Sequence, residues 1–352
     1  MFVVPNYAVA VLFCVITMLC WGSWANTQKL AGKRWRFELF YWDYVIGVFL
    51  MALIFAFTLG SSGQEGRSFF DDVKQANLVN IEAAFLGGII FNAANVLLVA
   101  AIAIAGMSVA FPVGIGLALV VGVLINYLAQ PEGNPIVLFL GVALVTAAIV
   151  LDAIAYRQIP GQAKGGGTKG LVLSVICGLL MGLFFYCVAS AMPNLNVKEV
   201  VWDAGKLTPY SAMVFFGVGV VAGHFLCNLS LILNWLTGTT LPVPEYLKGG
   251  ARDHLWGVLG GCVWSVGMMF ALIAAGKAGP AISYGLGQGA TMVAALWGVF
   301  VWREFRDASL QTKRLLIAMF AAFVIGLVLI VLARAVGAKS PEASAALLAG
   351  LL

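Results

Sequence analysis

The sequence predicts an all-α polytopic membrane protein of ten transmembrane helices, arranged as two inverted five-helix repeats. Three observations predict it. Of 352 residues, 62% are hydrophobic and 10% charged, with a mean hydropathy of +1.00; soluble domains carry about 25% charged residues. The apolar residues fall into runs near the length, roughly 20 residues, that crosses a bilayer core. A glycine pattern also recurs at a constant offset of 173 residues.

Runs bounded by Gly, Pro and charged clusters give spans at 7–25, 39–60, 81–104, 108–129, 135–156, 170–191, 208–236, 254–276, 280–302 and 313–335. The first lacks a basic leader and a small-residue cleavage site, so it reads as a helix and not a signal peptide. Longer polar connectors lie at about 61–80 and 192–207. A flexible linker at 157–169, containing Gly165-Gly166-Gly167, separates a first repeat at 1–156 from a second at 170–335, and 336–352 is a tail. The glycine triplet has no Walker spacing. All six cysteines fall inside spans without metal-ligand spacing, so they read as packing residues, and neither a metal nor a cofactor is implied.

With ten spans, thirteen of the 20 Lys and Arg residues fall on one side, among them Lys29, Lys33, Arg34, Arg157, Lys164, Arg252, Arg303 and Lys313. Seven, including Lys198 and Lys339, fall on the other. The positive-inside rule puts the first set in the cytoplasm of an inner (plasma) membrane and both termini outside.

The repeat is ungapped across two helices and their loop. Leu86-Gly87-Gly88 recurs as Leu259-Gly260-Gly261, Ala105-Gly106 as Ala278-Gly279, and Gly114 and Gly116 as Gly287 and Gly289. Helices 3–4 thus correspond to helices 8–9. Five spans per half make the halves insert with opposite orientation, a pattern of secondary transporters whose sites lie near the midplane. The alternative is that the shared glycines mark close helix packing alone.

Trp21-Gly22-Ser23-Trp24 in helix 1, Tyr41-Trp42-Asp43-Tyr44 in helix 2, Asn126-Tyr127 ending helix 4, and Trp297-Gly298 with Glu304 closing helix 9 carry a resemblance. In that order, from about Leu12 to Ala333, the chain resembles the drug/metabolite transporter superfamily. Within it, the chain is most similar to the ureide permeases and the bacterial glucose/ribose and rhamnose transporters. The resemblance implies ten helices in two inverted halves and transport of a nucleobase, nucleoside or ureide, or otherwise a monosaccharide. A carboxylate the ureide permeases carry early in helix 4 is Phe111 here.

Polar groups in a membrane helix must find partners or face a wet cavity. Asn92 and Asn95 share a face of helix 3, and their amides suit a neutral polar solute; the alternative is glue between helices. Tyr284, Gln288 and Thr291 are spaced to share a face of helix 9, either lining the same cavity or packing on helix 8. Trp21 and Trp264 can stack on a planar ring, and Phe91 is the repeat equivalent of Trp264, so the two could form a clamp. Helices 1, 3, 4, 6, 8 and 9 are expected around the cavity, with 5 and 10 peripheral. His224, with Asn228 one turn on, together with Asp43 and Glu82 are the proton-coupling candidates; a neutral packed histidine and end-capping carboxylates are the alternatives. Asp152 and Glu304 are expected to pair with Arg157, Arg303 or Arg306.

These readings point to a secondary active transporter that takes up a small polar solute with protons, by alternating access, as a monomer or dimer in the lipid bilayer. Export and a passive channel are the alternatives. No HExxH, GxSxG or aspartate pair supports an intramembrane enzyme, and nothing in the chain suggests nucleic-acid binding.

Overall fold

The computed structural model describes residues 1–32, 35–63, 65–159, 168–194, 204–226 and 244–337. Among them are ten helices long and apolar enough to cross a membrane: α1 (Tyr7–Ala31), α2 (Phe37–Phe57), α3 (Leu78–Ala105), α4 (Met107–Ala129), α5 (Pro135–Arg157), α6 (Thr168–Ser190), α7 (Pro209–Leu226), α8 (Ala251–Ala278), α9 (Pro280–Val301) and α10 (Leu310–Val336). Several predicted features lie outside the described residues: Lys33, Arg34, Lys164, Lys198, Lys339, Asn228, most of the 157–169 linker, the end of the predicted seventh span and nearly all of the tail.

Local chemistry sets the helix ends. Asn6 caps α1, its Oδ1 accepting from Val9 N at 3.0 Å. Gly106 between α3 and α4 and Gly279 between α8 and α9 both take a positive φ, 80° and 86°, that a side chain would strain. These two glycines lie at the 173-residue offset of the sequence pattern, and their backbones match.

Packing follows the same correspondence. α3 packs on α6 and α7, while α8 packs on α1 and α2; α4 packs on α6, while α9 packs on α1; α5 and α10 pack on each other. At Gly88 a Cβ would lie 2.1 Å from Phe216 O and 2.7 Å from Val220 N. At Gly261 it would lie 2.0 Å from Tyr44 O and 2.8 Å from Val48 N. Without a side chain the backbones meet directly, the geometry that small residues provide between membrane helices.

One end of the bundle is clasped by polar connectors. Asp72, fully buried on a short helix (Phe69–Gln75), accepts from Thr208 N at 2.7 Å, Arg67 Nε at 3.1 Å and Gln75 Nε2 at 3.2 Å. This ties the α2–α3 connection to the start of α7. Asp72→Ala leaves those donors unpaired and should cost about 1–3 kcal/mol. The expected result is a lower midpoint of thermal unfolding for the purified protein.

α9 departs from the sequence expectation. Its helix stops at Gly287, Gln288 and Gly289 form a turn, and a new helix runs Ala290–Leu296 before a single π-helical stretch at Trp297–Val301. The cause is local: Gly285, Gly287 and Gly289 remove helix propensity within five residues. Gly289 N bonds to Leu286 O at 2.9 Å and Met292 N to Gly289 O at 3.0 Å, tightening the backbone there. The regular spacing that placed Tyr284, Gln288 and Thr291 on one face therefore fails.

Candidate functional site

A cavity of about 470 Å³ opens between α1, α4, α5 and α9, at the end of the bundle where α1, α5 and α9 terminate and α4 begins. It is lined by Asn26 and Lys29 from α1, Phe111 and Pro112 from α4, Asp152 and Tyr156 from α5, and Thr291 and Trp297 from α9, with Glu304 at its mouth. α5, expected at the periphery, is thus one of its walls.

The α1 and α9 ends are laced together across this mouth. Trp297 Nε1 donates to Ser23 Oγ at 2.8 Å, Trp302 Nε1 to Asn26 Oδ1 at 2.6 Å, and Lys29 Nζ to Glu304 Oε1 at 2.7 Å. Successive partners on α1 are three residues apart and so share a face. Arg303 takes φ 54°, the only positive φ of a non-glycine among the described residues. This uncommon backbone turns Glu304 back towards the cavity, where Tyr156 OH also donates to its Oε2 at 2.9 Å. Glu304 therefore pairs with Lys29, not with Arg303, Arg306 or Arg157 as its position suggested. Among the described residues Asp152 makes no ion pair, and its buried Oδ1 has no hydrogen-bond partner.

Outside the cavity lining, a group of aromatic rings packs together in the bundle. Phe91 and Trp264 meet at 4.3 Å between centroids, so no gap separates these two residues. Trp21 stacks on Trp264 at 5.8 Å and 11°, donating from Nε1 to Trp264 O at 3.3 Å, and Phe216 stacks on it from α7 at 5.8 Å. Beyond the rings, Tyr284 is fully buried against Phe185 at 5.2 Å, its hydroxyl donating to Met181 O at 3.0 Å and Ala118 O at 3.3 Å.

Of the sequence-derived site residues, the structure brings Trp21, Phe91 and Trp264 together, and Thr291 lines the cavity while donating to Gln288 O at 3.0 Å. Gln288 is buried at the α9 break. Asn92 and Asn95 do not line the cavity. Asn92 is fully buried beside α2 and α7, its Oδ1 accepting from Tyr41 OH at 3.1 Å while its Nδ2 has no partner among the described residues. Asn95 is half-buried and donates to its own helix at Phe91 O.

The three proton-coupling candidates are scattered. His224 is buried with its ring edge-on to Trp42 at 4.1 Å, and neither ring nitrogen has a partner among the described residues. Glu82 is exposed near the start of α3. Asp43 is buried and accepts from Tyr246 OH at 2.6 Å, His254 Nδ1 at 2.9 Å and Trp35 Nε1 at 3.2 Å. Burial and the bond to Asp43 raise the Tyr246 phenol above its ordinary range, so it stays a donor. This group clasps α2 to the first turn of α8. Sequence reasoning missed His254, Asn26, Lys29, Tyr156 and the cavity role of Asp152. The available signal was a carboxylate inside an apolar run, one helical turn before a tyrosine.

Comparison with known proteins places this geometry. Ureide permease 1 of Arabidopsis thaliana is 24% identical over 378 residues, covering 92% of this chain and 97% of its own length. The glucose uptake protein GlcU of Bacillus subtilis (strain 168) is 26% identical over 231 residues, covering 65% of this chain and 68% of its own length. A crystal structure carrying no functional description shares the fold with a TM-score of 0.58 at 16% identity, over 94% of this chain and 99% of its own. The ureide permease family model matches residues 40–164 and 163–333, and so the chain, a multi-pass membrane transporter, belongs to the ureide permease family.

Proposed function

We propose that this permease imports a small polar solute by alternating access, driven by protons, across the plasma membrane with both termini outside. The observation that supports this reading is the cavity itself, open between α1, α4, α5 and α9, together with the ring packing of Phe91, Trp264 and Trp21 elsewhere in the bundle. The halves 1–156 and 170–335 act as two inverted repeats joined by the 157–169 linker. Matching backbones at Gly106 and Gly279 support this, as do the paired contacts of α3 and α8. Strongly basic connections at the open end support a cytoplasmic opening.

The solute is a ureide or a related nucleobase or nucleoside, a planar polar group suited to stacking on Trp264 with amide and hydroxyl partners at Gln288, Thr291, Asn92 and Asn95. The Nδ2 of Asn92, unpartnered among the described residues, supports its availability once the aromatic rings part. A monosaccharide is the second reading, favoured by the match to glucose uptake proteins. Proteoliposomes carrying the purified protein, given an inward proton gradient, should accumulate allantoin, uracil or uridine, with glucose as the competing outcome. Gln288→Ala and Asn92→Ala should each weaken binding about 5- to 100-fold, from loss of one buried hydrogen bond or more. Unchanged binding in both variants would mean that these amides only join helices.

A further inference from the structure

We propose that Asp152 is the group that carries the coupling proton, its charge read against the fixed Lys29–Glu304 pair; this rests on the proton-driven reading above. Asp152 lines the open cavity yet is only 9% exposed, and among the described residues its buried Oδ1 accepts no hydrogen bond. The other buried carboxylates in the described spans differ in kind: Glu38, at the start of α2, pairs with Arg36, and Asp43 is bonded to Tyr246, His254 and Trp35. Three partners already occupy the oxygens of Asp43, so protonation there would disturb one of those contacts. Asp152 has no such bond to give up at Oδ1, so taking up a proton there displaces no donor.

The neighbouring charges explain how one proton could control the cycle. Glu304 is held by Lys29 at 2.7 Å and Tyr156 at 2.9 Å, so that pair is neutral as a unit. α4 brings Phe111 and Pro112 to the cavity and no titratable group. α9 brings none either, and on α10 Lys313 and Arg314 are exposed at the membrane surface. Asp152 therefore decides the net charge of the cavity. With its proton the cavity is neutral and can close around a neutral solute; without it, closure would bury an unpaired charge, which is strongly disfavoured. The proton enters from the outer side with the solute and leaves Asp152 to cytoplasmic water through the open mouth.

The test uses the full chain in proteoliposomes with allantoin, or glucose if allantoin is not taken up. It measures solute accumulation under an inward proton gradient, solute-induced proton movement with pyranine, and exchange of labelled for unlabelled solute at equilibrium. The expected result for Asp152→Asn is loss of accumulation and of the pyranine signal while exchange continues, no longer varying between pH 5.5 and 7.5. Asp152→Glu should restore both with a shifted pH profile. If Asp152→Asn does not fold, Asp152→Glu alone decides, and an unshifted pH profile overturns the proposal. Accumulation by Asp152→Asn at the wild-type level overturns it while leaving proton drive intact. Loss of exchange in a folded Asp152→Asn also overturns it, by making the residue part of solute binding. A wild type indifferent to the proton gradient removes the proton-driven reading and this proposal together.

Discussion

Gly261→Ala is expected to leave almost no folded permease in the membrane. The new Cβ would sit 2.0 Å from Tyr44 O and 2.8 Å from Val48 N, both backbone atoms that no rotamer change can move. Either α2 and α8 separate by more than an ångström along their contact, or the local helix distorts. Overpacking usually costs 1–3 kcal/mol, but here the obstacle is a helix backbone, and a cost above about 4 kcal/mol is expected. Gly88→Ala should fail similarly, its Cβ meeting Phe216 O at 2.1 Å. Gly116→Ala is the control, because its Cβ finds no atom closer than 4.0 Å. Fluorescence-detected gel filtration of detergent extracts would read all three. A monodisperse Gly261→Ala peak at wild-type height would mean that α2 and α8 are not locked by this contact.

The same glycines explain why the fold was legible in the sequence. Hydropathy alone locates ten spans, since a bilayer imposes one length and one chemistry on every crossing. The glycine pattern identifies which helices must approach closely, and it does so without knowledge of the partner helix. The site was less legible. Helical spacing predicts a shared face only while the helix continues, and α9 breaks between Tyr284 and Thr291. Asn92 and Asn95 lie on one helix stripe, but a stripe does not reveal which neighbour it meets, and Asn92 meets Tyr41 of α2. Glu304 looked like an end charge beside Arg303 and Arg306. The π-helical stretch and the unusual φ of Arg303 turn it towards Lys29, 275 residues away in sequence. Trp21, Phe91 and Trp264 were recoverable because large rings near the middle of small-residue helices have few places to go.

Thr291 and Ala118 stand at the 173-residue offset, and under the proposed inverted repeat a cysteine at each should report opposite sides of the membrane. Thr291 lines the open cavity, whereas Ala118 is fully buried, with Tyr284 OH on its carbonyl at 3.3 Å. Its neighbourhood is the sealed counterpart of the cavity: Phe111 lines the open mouth, and Tyr284, at the same offset, is packed against Phe185. If the halves exchange conformations, the far side must open where Tyr284 now sits, and the open mouth must close. In a background lacking Cys14, Cys20, Cys177, Cys187, Cys227 and Cys262, Thr291→Cys should react rapidly with a membrane-impermeant thiol reagent in inside-out vesicles. Ala118→Cys should react only from the outside, in right-side-out cells. A minor conformer populated at about 0.1–10% makes that reaction slower by roughly 10- to 1000-fold. Saturating allantoin should change the two rates in opposite directions, because a shift of population takes from one state what it gives the other. Labelling of Ala118→Cys from the cytoplasmic side, or equal rapid labelling of Thr291→Cys from both sides, would identify a continuous pore and end the alternating-access reading.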